Sequence, residues 1–394
     1  MRDGWATVPL GDLCTLTKGA YATEKTKPGP YPLVVTAGSF RTADSYQLEG
    51  EAVCIPTISS TGHGHASLKR VHYVRGKFAV ANLLMAAQPR PEALIDARWL
   101  WLYLDHRRDE LIVPLMQGTA NVNLKPSQLV SIPIDLPPLA EQRRIVDLIA
   151  VVDEAARASS TYLATIATLI ARVREVTLAN TPNLVRLGSL LQSIDAGRSP
   201  EAEDRQPLPG EAAVLKVSAV RSGRFDPTQV KVLSGTDDFP PRARLRDGDV
   251  LMTRANTKEL VGAVCRVPEA PPSYYLCDKT LRLNPRLDLV DPDYLVEVLL
   301  GDAARRQVEL AATGTSASMK NISQQTIRDL RVPLVDAAGQ RRLVGTVSAL
   351  RRSAAAIEVE VADLASLRAA LLADLLSGAH EIPPSYDRFL DGAA

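Results

Sequence analysis

The 394-residue sequence has no run of 18 apolar residues free of charge, and its opening, MRDGWATVPL, carries neither the apolar core of a signal peptide nor an amphipathic presequence pattern. The expectation is a protein with no membrane partner, located in the cytoplasm. Cysteine is scarce. Cys14, Cys54, Cys265 and Cys277 are scattered without a Cys-x-x-Cys pair, which argues against a zinc site or a disulfide framework and for reduced, buried thiols. An excess of one charge is also missing: 46 Lys and Arg stand against 45 Asp and Glu, a net charge of +1, so there is no global signature of nucleic-acid binding. Only eleven of the basic residues are Lys. The arginine surplus suits bidentate contact with phosphate or guanine, although a GC-rich gene leaves the same bias. Finally, no Gly-x4-Gly-Lys-Ser/Thr phosphate loop and no ordered Ser, His and Asp set are found.

What the sequence does have is a composition fit for two or three folded domains, 46% hydrophobic and 23% charged, and an internal repeat. VPLGDLCTLTKG (Val8 to Gly19) is matched by VRLGSLLQSIDAG (Val185 to Gly197), each a strand-like or short helical opening that ends in a glycine turn. GEAVCIPT from Gly50 and GDVLMTRA from Gly248 each read as a glycine turn followed by a buried strand. DARWLWLYL from Asp96 and DPDYLVEVLL from Asp291 read as an Asp-capped apolar helix. Gly118-Thr119 and Gly314-Thr315 follow, and then NLKPSQLVSIPIDLP from Asn123 and NISQQTIRDLRVPL from Asn321. The order of elements is the same twice while the loop lengths differ.

Each half then ends in a long helix. Gln142-Arg143-Arg144 returns as Gln340-Arg341-Arg342, 198 residues later. Apolar residues in the first fall at Ile145, Ile149, Val152, Ala156, Leu163, Ile166, Ile170 and Val173, interrupted by Ser159. Those of the second fall at Leu343, Val347, Leu350, Ala354, Ile357, Val361, Leu364, Leu371 and Leu375, with Arg368 as the breach. This is heptad spacing over four to five heptads, the pattern of two helices that pair as a coiled coil. Pro137 and Pro138 preset the start of the first helix, Asp336 caps the second, and ANTPN from Ala179 and SGAHEIPP from Ser377 close them.

A catalytic reading fails at each place it is tried. Asp291-Pro292-Asp293-Tyr294 is similar to the Asp/Asn-Pro-Pro-Tyr loop of amino-methyltransferases, but Asp293 replaces the second proline and no glycine-rich cofactor loop accompanies it. A helix cap is the better reading. His63 and His65 in TGHGHASLKR lack a third ligand nearby, so no metal is expected, and with Lys69 and Arg70 they fit an exposed loop that touches phosphates or bases.

Two similar domains joined by a strut suit an extended object read at two places, such as double-stranded DNA with a split target. The candidate contact residues are Lys18, Tyr21, Lys25, Lys27, Ser59, Ser60, His63, His65, Lys69 and Arg70 in the first half, and Arg198, Arg221, Arg224, Arg254, Asn256, Lys258 and Lys279 in the second.

IPIDLPPLAEQRRIV (Ile132 to Val146), GDVLMTRANTKELVGAVCRV (Gly248 to Val267) and the Gly-Thr, Asn, Leu pattern before each helix together resemble the specificity (S) subunits of Type I restriction-modification systems over nearly the whole chain. The departure is DAAGQ (Asp336 to Gln340), where Gly339 stands at the position of Glu141. The resemblance implies an α/β (α+β) protein of two target-recognition domains, 1–138 and 183–336, related by a pseudo-two-fold repeat. The conserved helices, 139–179 and 337–378, would pair antiparallel and set the spacer between half-sites, and 379–394 would be a tail. Two methyltransferase subunits, which carry S-adenosylmethionine and methylate adenine N6, would dock on Pro137, Pro138, Glu141, Gln142, Arg143, Gln340 and Arg341. Two restriction subunits using ATP and Mg are the further partners it implies. The chain itself would bind no cofactor and no metal and supply no catalytic residue. Its rivals are a non-catalytic two-domain coiled-coil scaffold, a stand-alone methyltransferase, and a specificity subunit of another methylation-based defence system.

Overall fold

The structure, a computed structural model, describes residues 4–61, 64–118, 122–179, 181–234, 239–314 and 319–390. The chain divides into two units, Met1–Ser160 with Val359–Ala394, and Thr161–Glu358. The division passes through both long helices, so each unit holds a domain together with half of each helix.

In the first unit a six-stranded sheet runs in the order Cys14–Lys18, Leu84–Pro89, Leu48–Pro56, His72–Val80, Tyr31–Val34 and Arg41–Ala43. All neighbours are antiparallel except Tyr31–Val34, which lies parallel to His72–Val80. Alternation along the strands buries one face against the helix Ala97–His106, whose Trp99, Leu100, Tyr103 and Leu104 are fully covered. Asp96 caps that helix by accepting from the amides of Arg98 and Trp99 at 2.8 and 3.1 Å.

The second unit keeps this frame. Leu191–Ala196, Thr280–Pro285, Val250–Thr253 and Val264–Arg266 form an antiparallel sheet in the corresponding order. Asp291 caps the helix Pro292–Leu300 through the amides of Asp293 and Tyr294, again at 2.8 and 3.1 Å. The difference lies at the edge: Ala213–Leu215, Val230–Leu233, Tyr274–Tyr275 and Ala202–Glu203 make a separate four-stranded sheet. In each unit the opening strand clasps the strand that leads into a long helix, Ala6–Pro9 against Pro133–Leu136 and Leu184–Arg186 against Arg331–Pro333.

The long helices span Leu139–Ala179 and Ala337–Leu376, about 60 Å each at about 1.5 Å per residue. They pair antiparallel as a coiled coil, and every expected seam residue is buried or half-buried. In the first unit Ile145 and Ile149 share a core with Leu372, Leu375 and Leu376; in the second, Ile170 and Val173 pack with Leu343 and Val347. The two breaches in the heptads are polar links across the pair: Arg368 meets Asp153, with Nε 2.5 Å from Oδ1, and Ser159 donates to Glu360 at 3.2 Å. The cap on the second helix is Asp336, which accepts from the amide of Gly339 at 2.7 Å.

One local expectation needs correction. Gly248 (φ +74°) does precede its strand, but Gly50 (φ +109°) lies inside Leu48–Pro56, opposite Gly76 (φ +88°). A pair of facing glycines in the left-handed region bends two strands together, which a sequence read one strand at a time does not reveal.

Candidate nucleic-acid interface

One end of the sheet collects polar loops in each unit, and the backbone anchors them alike. In the first, Lys18 faces Met85 and Pro56 faces Leu84, so segments 19–27 and 57–70 leave the sheet side by side. The amide of Gly19 donates to Leu84 at 2.9 Å and that of Thr57 to Leu83 at 2.8 Å. In the second, Ala196 faces Leu281 and Thr253 faces Thr280, and the amide of Arg254 donates to Lys279 at 2.9 Å. Gly19 and Gly197 are required by close approach: a Cβ would lie 2.0 Å from the Ala81 carbonyl oxygen in one and 1.6 Å from that of Leu276 in the other. A third segment joins them. Asn123 exchanges both main-chain bonds with Gln117, and Leu124 donates to Thr57; Asn321 does the same with Thr313, and Ile322 donates to Arg254.

The side chains on this common frame differ. In the first unit Lys18, Lys25, Lys27, Ser60, His65, Lys69 and Arg70 are exposed, and Tyr21 and Ser59 are half-buried. The Tyr21 hydroxyl lies 3.0 Å from Ser45 Oγ, Ser59 Oγ donates to the His65 carbonyl at 2.5 Å, and Ser60 Oγ accepts from the amide of Lys69 at 3.0 Å. These bonds shape the loop while leaving the basic groups outward. His63 lies outside the described residues. In the second unit Arg198, Lys258 and Lys279 are exposed, with Arg254 and Asn256 half-buried beside them. Lys18, Lys25, Lys27, Lys69, Arg70, Arg254, Lys258 and Lys279 form no ion pair among the described residues, so their charge is available to an anion. Arg221 and Arg224 are carried instead on a hairpin against the outer strand Val264–Arg266, where Arg221 pairs with Asp226 at 3.3 Å.

Two features were not read from the sequence. Lys320 joins the second cluster because Lys320–Asn321 pairs with Ala255–Asn256; aligning the repeat through Asn123 and Asn321 would have brought it in. In the first unit Phe40, Lys69, Arg70, His72 and Trp101 surround a cavity of about 430 Å³, where burial and the neighbouring Arg70 hold the His72 imidazole below its ordinary pKa. Phe40 and Trp101 reach it from distant elements, so no local pattern marked it.

The partner-facing candidates divide. Pro138, Arg143 and Arg341 are exposed, whereas Pro137, Glu141, Gln142 and Gln340 are buried and their bonds stay within the chain. Gln142 accepts from the amide of Asp96 at 2.8 Å and donates to the carbonyls of Leu94 and Pro137 at 2.9 and 2.8 Å. Gln340 repeats this on Asp291, Leu289 and Val335 at 2.8, 3.2 and 3.1 Å. Glu141 accepts from the Trp5 indole at 3.3 Å.

The residues most suggestive of chemistry are used structurally. Tyr294 is buried and its hydroxyl bridges the Pro333 carbonyl and the Val335 amide at 3.0 and 3.3 Å. All four cysteines are buried free thiols, and burial pushes Cys14, Cys54 and Cys265 up to about 12. Among the described residues no cluster of three or more His, Cys, Asp and Glu side chains is placed to hold a metal, and no helix is long and apolar enough to cross a membrane.

Residues 2–166 match the sequence profile described as the Type I restriction modification DNA specificity domain. Over 164 residues, 41% of this chain, the sequence is 30% identical to the Type I restriction enzyme EcoEI specificity subunit of Escherichia coli, and that match spans 27% of the relative's length. It is 24% identical to the EcoKI specificity subunit of Escherichia coli (strain K12) over 409 residues, 92% of this chain and 85% of the relative. In fold it is similar to the crystal structure of the Type-I restriction-modification system S subunit from M. genitalium, with a TM-score of 0.57 at 15% identity, covering 94% of this chain and 96% of that one.

Proposed function

The chain belongs to the specificity subunits of Type I restriction-modification systems, and from that premise we propose that each unit reads one half of a bipartite target in double-stranded DNA. The observation that carries the reading is the pair of corresponding sheet ends, anchored by the same main-chain bonds and dressed with different basic and polar side chains. Constant anchoring presents a loop to a groove in a fixed way, and the changed side chains alter which base edges it accepts. Lys18, Lys69, Arg70, Lys258 and Lys279, which form no ion pair among the described residues, supply phosphate contacts, which confer affinity that falls steeply with salt.

In this reading the coiled coil fixes the separation of the half-sites, and its two helix starts are joints for two methyltransferase subunits. Those subunits carry S-adenosylmethionine and methylate adenine N6; restriction subunits, with ATP and Mg, add cleavage. The chain contributes recognition and positioning and no catalytic group.

The test is single-molecule methylome sequencing of a methylation-free cell that expresses this chain with its methyltransferase subunit, against cells expressing that subunit alone. The expected result is a split motif, two short defined halves around a fixed gap, present only when both proteins are made. Absence of methylation, from a methyltransferase that is active with another specificity subunit, would move the assignment to a non-catalytic scaffold.

A further inference from the structure

Both long helices open on Gln-Arg-Arg, yet the surface beside that opening is finished differently in the two units. In the first, the chain beyond the second long helix folds back as a strap. Ile382 is 6% exposed in the core that also holds Ile145, Leu375 and Leu376. Asp387 accepts two bonds from Arg144, at 2.5 and 2.7 Å, and the Tyr386 hydroxyl donates to Asp147 at 2.8 Å. An apolar residue, an aromatic and a carboxylate thus close the groove between the helix tips.

In the second unit Arg342 stands 198 positions after Arg144. There the chain reaches the strand Leu184–Arg186 soon after the first long helix ends at Ala179, and a groove of about 490 Å³ lies between the helix tips. Val173 and Thr177 line it from one helix, and Arg342, Leu343 and Thr346 from the other, with Val335 at its end. Arg342, Leu343 and Thr177 stand at the repeat positions of Arg144, Ile145 and Leu375, which the strap meets in the first unit. Arg342 is exposed and makes no ion pair among the described residues.

We propose that this groove is a docking site for a peptide segment of a partner protein that offers an apolar residue, an aromatic ring and a carboxylate for Arg342. The first unit supplies the template, because the same surface there already holds Ile382, Tyr386 and Asp387. Charge selects the partner: a carboxylate gains a bidentate guanidinium, which no neutral side chain reproduces. The repeat also specifies what is not needed. Gly345 replaces Asp147 and has open space beside it, so the aromatic ring can rest on the helix, but its hydroxyl has lost its acceptor. Phenylalanine and tyrosine therefore serve equally. The proposal does not depend on what the two units read.

The experiment adds a fluorescein-labelled peptide of residues 379–390 to the full chain and follows anisotropy. Saturable binding is expected, weakened about ten-fold or more by Arg342→Glu in the chain or by Asp387→Asn in the peptide, the loss of one charge-assisted pair. Tyr386→Phe in the peptide is expected to bind as well as the original. Thr346→Trp, which fills the groove without touching charge, is expected to block binding independently, with circular dichroism confirming that both chain variants are folded. Binding unaffected by either chain variant means that the peptide exchanges with the strap on the first unit, and overturns the proposal; so does the absence of saturable binding at millimolar peptide.

Discussion

Gln142 and Gln340 recur for a reason that the bonds inside each unit make plain. Their recurrence at 198 residues suggested a surface for partners, but each amide satisfies one main-chain N–H and two carbonyls inside its own unit. Only a side chain that both donates and accepts, at that length, can do so, which is why the same residue returns. Gln142→Ala and Gln340→Ala are each expected to cost about 2–4 kcal/mol in urea unfolding, because buried main-chain groups lose their partners; Gln→Glu is expected to do no better, having lost the donor. Asp387 yields a prediction of a different kind. Arg144 holds its carboxyl below the ordinary value of 3.8, so the pair's stabilisation is complete above that value and is lost as pH falls through the lower, folded value. Amide exchange of residues 382–390, corrected for its intrinsic pH dependence, should accelerate on acidification below pH 3.8. Asp387→Asn should show fast exchange already at neutral pH. Equal exchange in the variant and the parent would show that the ion pair does not hold the strap.

At the scale of elements, the long helices were the most legible feature, since a 4-3 alternation over four to five heptads has few other solutions. The seam breaches Ser159 and Arg368 had no explanation until their partners, Glu360 and Asp153, were placed across the pair. Less legible was the bond from the helices to the second domain: buried Glu297 binds Arg174 at 2.7 Å and Arg351 at 2.5 Å, one arginine from each helix. The positions that match Glu297 and Arg174 in the first unit are Leu102 and Leu372, so no repeat signal announced it. Removing this carboxylate strands the mostly buried Arg174, whereas Arg351 is 41% exposed and can turn to solvent, and Glu297→Ala is expected to destabilise the protein by about 2–3 kcal/mol; a thermal midpoint unchanged within a degree would show that solvent already reaches Arg174. The helices also carry the test of spacing. Inserting four residues, about one turn or about 6 Å, into both is expected to lengthen the recognised gap while leaving both half-sites intact, as read by methylome sequencing; an unchanged gap removes the helices from that role.

At the scale of the whole molecule, the twofold plan was readable because glycines, caps and helix starts recur in order, and four strands of each unit follow it in the same sheet order. The edges were less readable: Ala213–Leu215 lies between an antiparallel and a parallel neighbour as Tyr31–Val34 does, but within a separate sheet and across different loop lengths, and the strap at Ile382–Asp387 has no counterpart among the described residues of the other half. At the candidate interface, the structure brings most of the basic residues named from the sequence to the loops at one sheet end of each unit, while Lys320 and the cavity beside His72 depend on contacts between distant elements. Exchanging residues 1–135 for those of a relative is expected to change one half of the methylated motif and leave the other unaltered; a change in both halves would mean that the units do not read independently.

The clasp that pairs Ala6–Pro9 with Pro133–Leu136, and Leu184–Arg186 with Arg331–Pro333, has a consequence for heredity. Because each domain begins and ends on adjacent strands, a crossover in the gene at those two points exchanges a whole domain while the long helices stay as they were. Under the proposed function, a lineage would gain a new target half in one genetic event instead of through many single substitutions.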